Sequence, residues 1–350
     1  MSDATRIPAI LDALDAARRA SQRLPAFDIA QRLEISEGEL QAARIGRDVI
    51  SLALTPKALA RQLHALGHVK ALTRSGGAVL EQHGRYPSAD AADPGLLHAP
   101  DGLDLRLHLQ QWHWACAIRD VLPNARGEPI TRYSVQVFDR HGRAVHKLFC
   151  RESSPNAAWQ ALMARANGRS PAFTQLAPRG PRALPPAPGL TREWARLRDV
   201  HQFSTLLRRH RLERHEANAL VEGHFTRRLA VDSVAQALTQ ASCSDVPLML
   251  FVASPGCVQI RTGRLPTPQR RCGWLALYGN DFTLQLDETA IHAVWAVHKP
   301  NRDGGVTSLE AFGADGELLL QIHAERREGC RERNAWRHLL AGLSNQEVAA

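Results

Sequence analysis

The chain has 350 residues, which is too long for one ordinary domain core and suits two domains. Hydrophobic residues make up 44% and charged residues 23%, which excludes wholesale disorder. The 44 basic and 35 acidic residues give a net charge of +9, which indicates either an anionic partner or a generally basic surface. Nucleic acid and a small carboxylated ligand are both candidates for that partner.

Features of the whole chain predict a cytoplasmic protein. No stretch of ~20 apolar residues is present, so no membrane span is expected. Asp12 and Asp15 interrupt the first apolar stretch, so no signal peptide is expected either. The six cysteines form no C-x-x-C pair, which is typical of free thiols and argues against a zinc site.

The first half begins with helical patterns. Residues 7–20 have helical composition, Ser36 and Glu39 have the spacing of a capping box, and Thr55-Pro56 predicts a further helix start. From Leu103 to Leu109 the period changes to two, which indicates a half-buried strand. Strands at 112–121, 131–138 and 144–150 and a closing helix at 156–166 follow. Short turns between consecutive strands favour an antiparallel sheet.

Residues 170–190 contain closely spaced prolines and predict an extended linker. It divides the chain into a first repeat at 1–169 and a second repeat at 191–350. The halves match in order: 78–81 with 257–260, 103–107 with 282–286, 134–138 with 308–312, and 156–159 with 334–336. Four matches in the same order predict a duplicated unit.

The second half repeats the pattern of the first. Helices are predicted near 192–210, 213–222 and 232–241, and a closing helix near 331–342. Strands are predicted near 247–252, 257–262, 273–278, 282–287, 291–298, 306–312 and 317–324. The fold class is therefore α+β, with two tandem repeats that each hold a large antiparallel sheet, helices before it and a closing helix.

The helix predicted after the linker carries an apolar stripe of Trp194, Leu197, Val200 and Leu207, and His201 lies at the edge of that stripe. A histidine there is either a core residue with a hydrogen bond or a ligand for haem iron. Spacing leaves both interpretations open.

Several arginines allow two interpretations. Arg208, Arg209, Arg211 and Arg214 form either a solvated basic face or a set of guanidinium groups for carboxylates such as haem propionates. Arg106 points away from the leucines of its strand, either as a surface charge or towards a cleft.

Another class of function is a DNA-binding regulator, because residues 26–46 can form a helix-turn-helix. Against it, Glu37 and Glu39 begin the helix that would read the groove, and their charges would repel phosphates. The sequence has no Walker loop, no G-x-G-x-x-G segment and no nucleophile-elbow motif.

From about residue 26 to residue 343 the sequence resembles the HemS/HmuS/ChuS family of cytoplasmic haem-trafficking and haem-degrading proteins, the hemin-degrading factors. The motifs that carry the resemblance are G-H-V-K-A-L-T-R at 67–74, L-D-L-R-L at 103–107, D-V-H-Q-F at 199–203, F-V at 251–252, G-C-V-Q-I at 256–260, T-G at 262–263, K-P at 299–300, V-T-S-L-E at 306–310, Arg326 and E-G at 328–329.

The resemblance implies a pair of structural repeats with haem b in a cleft. It places the axial iron ligand at His201 and the distal arginine at Arg106. It places Lys299 and Arg326 in the pocket or on the propionates, and Phe251 at an apolar pocket position. The sequence departs from the family at His108 and His323, where aromatic residues are usual, and these histidines offer alternative iron ligands.

The resemblance also implies a function. The protein would bind haem in the cytoplasm after import and pass it to a receiving protein, as part of haem-iron uptake and utilisation. Alternatively, as an oxygenase-type oxidoreductase, it would degrade haem and release iron. That activity needs an external electron donor, because the chain has no flavin or nicotinamide motif.

Overall fold

The structure is a computed structural model that describes residues 3–20, 24–90, 93, 95–98, 102–123, 126–152, 155–165, 168–176, 183–326 and 329–345. The helices are α1 (Asp3–Ala20), α2 (Ala26–Arg32), α3 (Glu37–Ala42), α4 (Pro56–Ala60), α5 (Ala157–Met163), α6 (Leu190–Ala195), α7 (Gln202–His210), α8 (Arg214–Leu220), α9 (Ser233–Cys243) and α10 (Asn334–Ala341). Short 3₁₀ helices lie at Leu63–Leu66, Leu109–Gln111 and Glu288–Ala290.

The strands fall into two large sheets. Those of the first half are β1 (Val49–Ser51), β2 (Val69–Arg74), β3 (Ala78–Gly84), β4 (Leu96–Leu97), β5 (Asp104–Leu107), β6 (Trp114–Pro123), β7 (Pro129–Phe138) and β8 (Ala144–Cys150). Those of the second half are β9 (Thr226–Leu229), β10 (Leu248–Ser254), β11 (Cys257–Gly263), β12 (Gln269–Arg271), β13 (Trp274–Tyr278), β14 (Phe282–Asp287), β15 (Ala293–Lys299), β16 (Val306–Phe312) and β17 (Leu318–Ala324).

The chain forms two compact units. Unit 1 comprises Met1–Thr73, Gln82–Ala177 and Ser254–Val258, and unit 2 comprises Arg74–Glu81, Pro178–Ala253 and Gln259–Ala350. No sequence pattern predicted that each unit would include a short segment from the other half of the chain. The division into 1–169, a linker at 170–190 and 191–350 stays a prediction.

Unit 1 contains an antiparallel sheet in the order β1-β6-β7-β8-β2. Alternate residues of these strands are buried against the helices, as the period of two predicts. The closing helix α5 begins at the cap residue Asn156. It buries Trp159, whose indole N–H donates to the carbonyl of Leu66 at 2.9 Å.

Unit 2 contains an antiparallel sheet in the order β10-β17-β16-β15-β9. One face packs on α9 and α10 through residues such as Val294 and Leu309. The other face packs on α6, α7 and α8 through Trp295, Val297 and Phe312. The predicted α+β class, with large antiparallel sheets, preceding helices and closing helices, is therefore confirmed.

The helix predicted at 192–210 is two helices. α6 ends at Ala195 and α7 begins at Gln202. Side chains satisfy the backbone of the turn between them: Asp199 accepts from the N–H of His201 at 2.8 Å, and Gln202 accepts from the N–H of Arg198 at 2.9 Å. These local bonds replace helical hydrogen bonds, which the apolar periodicity did not reveal.

The helix-turn-helix interpretation of residues 26–46 is not supported. α3, which would read the groove, has six residues and is buried along Glu37, Gly38, Leu40 and Gln41. The carboxylate of Glu37 accepts from the ammonium of Lys147, and the N–H of Gly38 donates to a backbone carbonyl at 2.8 Å. A helix packed inside unit 1 cannot enter a DNA groove.

No helix in the described part of the chain is both long and apolar enough to cross a membrane. The six cysteines are free, as predicted, and three of them (Cys243, Cys272 and Cys330) are exposed.

The capping box at the start of α3 provides a test of local stability. Ser36 accepts from the N–H of Glu39 at 3.1 Å, and the Glu39 carboxylate accepts from the N–H of Ser36 at 2.8 Å. We expect Ser36→Ala to lower the free energy of unfolding by about 1 kcal/mol, because one backbone donor loses its partner. Urea unfolding of both proteins measures this, and equal stabilities would show that the box contributes nothing.

Candidate functional site

One face of the unit 2 sheet combines polar and aromatic side chains. Directly paired residues of antiparallel strands point to the same side of the sheet. The pairs on this side are Glu310 with Gln321, Ser308 with His323, and Phe251 with Gln321. This is the side on which α6, α7 and α8 lie, because Glu310 also pairs with Trp295. We call it the polar face and define it by Phe251, Lys299, Ser308, Glu310, Gln321 and His323 of the sheet, with Arg214 and Asn218 of α8.

Glu310 lies at the centre of the polar face and is fully buried. Its carboxylate accepts hydrogen bonds from Lys299 Nζ at 2.8 Å, Arg214 Nη1 at 3.0 Å, Asn218 Nδ2 at 3.1 Å, Ser308 Oγ at 2.8 Å and Gln321 Nε2 at 2.8 Å. Burial alone would raise the pKa of Glu310, but the charges of Lys299 and Arg214 hold that pKa well below its usual range. The carboxylate is therefore ionised and fully partnered.

Lys299 and Arg214 both face an aromatic ring of α7. Lys299 Nζ lies 4.6 Å from the ring centroid of Phe203, and Arg214 Cζ lies 5.0 Å from it. Burial, together with the charge of Arg214, lowers the pKa of Lys299 to about 8, while Glu310 opposes the shift. The ring of Phe203 thus connects α7 to the sheet through Lys299 and to α8 through Arg214.

His323 presents an imidazole without a partner on one nitrogen. Its Nδ1 is buried and has no hydrogen-bond partner in the structure. Its ring meets that of Phe251 edge to face, with 5.2 Å between centroids. Burial and the charge of Lys299 lower the pKa of His323 to about 3, so the ring is neutral at physiological pH. A neutral imidazole is suited to bind a metal.

His201 lies in the turn immediately before α7 and is exposed. The sequence predicted His201 at the edge of a continuous helical stripe, and the break before α7 shows that this prediction was wrong. The backbone N–H of His201 is held by Asp199, and Trp194 and Phe203, on either side of the turn, are in edge-to-face contact at 4.7 Å. The turn is thus fixed at both ends, while the imidazole itself has no hydrogen bond among the described residues.

Arg208 and Arg209 are exposed on α7. Arg208 donates to Thr205 at 3.1 Å, and Arg209 donates to Glu193 at 2.5 Å. Among the described residues, neither donates to a side chain of the polar face. Arg326 follows β17 and is half-buried, and its positive charge acts on His323.

Arg106 belongs to unit 1, on strand β5. Its guanidinium donates to Asp104 and to the carbonyl of Leu105, the latter at 3.2 Å, and Asp104 also contacts His98 at 3.2 Å. The side chain of Arg106 is 38% exposed, so it retains access to solvent. His108 is exposed at the start of a 3₁₀ helix, and its backbone N–H donates to Gly256 at 3.0 Å.

A cavity of about 910 Å³ lies elsewhere in unit 2, against β9 and α10. None of the site residues predicted from the sequence lines it. Arg227 donates to the carbonyls of Leu340 and Leu343, and Arg337 donates to Glu332. Arg228 lies over the ring of Trp295 at 5.6 Å, and its buried Nε has no hydrogen-bond partner in the described part of the structure. The bonds of Arg227 hold α10 against β9. Because the cavity is lined by none of the predicted site residues, the polar face is kept as the candidate site.

The structure brings together Phe251, Lys299 and His323 of the predicted site residues, with Arg326 acting on His323. Sequence reasoning missed the roles of Glu310 and Phe203. For Glu310, the available signal was a charged residue at a position of the mostly apolar strand β16 that faces the interior. The position of Phe203 two residues after His201 was the signal for the aromatic contact.

Comparisons with known proteins identify the family and the tandem repeat. The family described as the haemin-degrading HemS/ChuX domain matches residues 34–166 and again residues 211–343, which confirms the tandem repeat. The chain is 38% identical over 330 residues to the hemin transport protein HmuS of Yersinia pestis, covering 93% of this chain and 94% of that protein.

Two solved structures are also similar along nearly the whole chain. The heme-degrading enzyme ChuS of Escherichia coli O157:H7 has a TM-score of 0.88 and 34% identity, and the match covers 96% of this chain and 99% of ChuS. Holo-PhuS, a heme-binding protein from Pseudomonas aeruginosa, has a TM-score of 0.86 and 36% identity, with coverage of 97% and 99%.

Proposed function

Since the chain belongs to the haemin-degrading HemS/ChuX family, we propose that it binds haem and transfers it during haem-iron uptake and utilisation. The observation that carries the proposal is the polar face. There, two cations surround a buried carboxylate beside the ring of Phe251 and a neutral imidazole. Haem has a flat apolar ring and two carboxylates, and an aromatic ring with cations nearby is complementary to both.

Each predicted residue has a part in this proposal. The exposed imidazole of His201 would be the axial ligand of the iron, and Arg106 would act on the distal side. Phe251 would pack on the porphyrin, and His323 would line the pocket or ligate in place of His201. The propionates would be bound by basic side chains: Arg208, Arg209, Lys299 and Arg326. The haem would be haem b.

The nitrogen donors and the cations of this site fit the chemistry of haem. The unpartnered Nδ1 of His323 and the free imidazole of His201 are nitrogen donors of the kind that haem iron takes. Lys299 and Arg214 supply positive charge for carboxylates, and the overall charge of +9 would help to attract a dianion.

The proposed setting is the cytoplasm, with a haem importer as donor and a haem-utilising protein as acceptor. A carrier must release its cargo, and a single strong iron ligand on a solvent-exposed turn suits reversible binding. The similarity to relatives named as hemin transport proteins supports this role.

A second candidate function is oxidative haem degradation, which the similarity to ChuS favours. The haem would supply the redox chemistry, and an external donor would supply the electrons. The chain's own contribution would be binding through His201 and an arginine, Arg106, that orients water or oxygen near the reacting edge.

The test of the proposed function is a titration of the purified protein with hemin, followed by absorbance in the Soret region. We expect a saturable Soret shift, because a histidine ligand changes the spectrum of free hemin. A linear response without saturation would refute haem binding.

The same hemin-loaded sample separates the two functions when ascorbate is added in air. A Soret band that persists identifies a carrier, and loss of the band with release of chelatable iron identifies an enzyme. A parallel sample of hemin with serum albumin controls for non-specific bleaching.

A further inference from the structure

The carboxylate of Glu310 is buried at the centre of the polar face and does not present a free atom to a ligand. Four donors share its Oε1 atom, and Asn218 donates to Oε2. Glu310 can therefore affect a ligand on the polar face only through the side chains that donate to it. Two of those groups are the cations Lys299 and Arg214.

These cations connect Glu310 to α7. Both lie over the ring of Phe203, at 4.6 Å for Lys299 and 5.0 Å for Arg214. Phe203 is buried in the first turn of α7 and also contacts Trp194. A displacement of the cations would therefore disturb the element that begins directly after His201.

The first repeat provides an internal comparison. By the strand registers, Gln136 is the counterpart of Glu310, Lys147 of Gln321, and Asp120 of Lys299. Gln136 is buried, and its side-chain oxygen has no partner in the structure. Lys147 pairs with Glu37, and Asp120 pairs with Arg18 and Arg44.

The two repeats thus distribute charge differently at matching positions. In unit 1 Lys147 has a carboxylate of its own, Arg18 and Arg44 share two carboxylates, and the central position is a neutral amide. In unit 2 one central carboxylate serves two cations. One negative charge on Glu310 neutralises only one of the two positive charges on Lys299 and Arg214. The three groups together therefore keep a net positive charge.

We infer that Glu310 is a positioning residue that sets Lys299 and Arg214 as a carboxylate-recognising pair on the polar face. The inference rests on the proposed function, because it assigns the pair to the propionates of haem. Without the carboxylate, the buried Lys299 and the half-buried Arg214, which lie 4.6 and 5.0 Å from the same ring, would repel each other. They would then separate, or Lys299 would lose its proton.

The experiment compares hemin with hemin dimethyl ester, in which the propionates are neutral. Binding of each is measured by Soret titration for the wild type, Glu310→Gln and the control Glu288→Gln. Glu288 pairs with Arg270 on the surface of the same unit, away from the polar face. We expect Glu310→Gln to weaken hemin binding about tenfold and ester binding less than about twofold. The control should leave both unchanged.

Equal weakening of both ligands in Glu310→Gln would overturn the inference, because a merely structural role lowers both affinities alike. Unchanged affinities would overturn it as well. If the wild type binds neither ligand, the proposed function fails first and the inference falls with it.

A second variant covers the case in which Glu310→Gln does not fold. The double variant Glu310→Gln with Lys299→Met removes the buried carboxylate together with one of its cations, so folding is expected to recover. Its preference for hemin over the ester should stay lost. Recovery of the wild-type preference would contradict the inference.

Discussion

Replacement of His201 by alanine is expected to raise the dissociation constant for hemin about 100-fold or more and to abolish the Soret shift of the complex. The imidazole is exposed and has no hydrogen bond among the described residues, so it is available to a metal. The mutation should change stability little, because the turn is held by backbone bonds to Asp199 and by the contact of Trp194 with Phe203.

The matched control is His224→Ala, which removes another exposed histidine of unit 2. It should bind hemin as the wild type does. If His201→Ala keeps the wild-type Soret shift, the ligand is another residue. The neutral His323 would be tested next and His108 after it.

The second large effect concerns His146, which is buried in unit 1. The hydroxyl of Tyr86 lies 2.7 Å from its Nε2, and the hydroxyl of Thr73 lies 2.9 Å from its Nδ1. Burial lowers the pKa of His146 to about 3 and raises that of Tyr86 well above its usual value. The phenol therefore stays protonated, and its hydrogen bond with Nε2 accompanies a neutral imidazole.

This shift predicts a loss of stability in mild acid. In the unfolded chain the pKa of a histidine is about 6.5, so unfolding takes up a proton as the pH falls below that value. From pH 7 to pH 5, His146 alone should lower the free energy of unfolding by about 2 kcal/mol. His323, with its pKa lowered to about 3, should act in the same direction.

Urea unfolding at pH 5, 6 and 7 measures the effect in the wild type and in His146→Gln. The variant should be less stable at pH 7, since it disrupts the bonds to Tyr86 and Thr73, but its stability should depend less on pH. The exposed His64 provides the control His64→Gln, which should retain the wild-type dependence. An identical pH dependence in His146→Gln would contradict the argument.

Local chemistry made much of the fold predictable. The capping box at Ser36, the alternation in the strands and the matches between the halves each depend on neighbouring residues or on duplication. The motifs also identified Phe251 and Lys299, and a departure from the family pattern identified His323; the structure places all three on one face of a sheet.

The break before α7 could not be predicted from the apolar stripe. Periodicity records which side chains are buried, and Trp194 and Phe203 are buried on both sides of the break. The hydrogen bonds from the backbone to the side chains of Asp199 and Gln202 decide where the helix stops. In the sequence alone, the same two residues are equally compatible with a longer helix.

By itself the sequence determined the class of fold, the duplication and the family, because these follow from periodicity and from motifs along the chain. Only the tertiary structure decided that His201 lies on an exposed turn and that Glu310 lies at the centre of the polar face. The partners of Glu310 come from α8, β15, β16 and β17, which are up to 107 residues apart (Arg214 to Gln321). A carboxylate becomes the centre of such a cluster only when folding excludes water and leaves these donors as its partners.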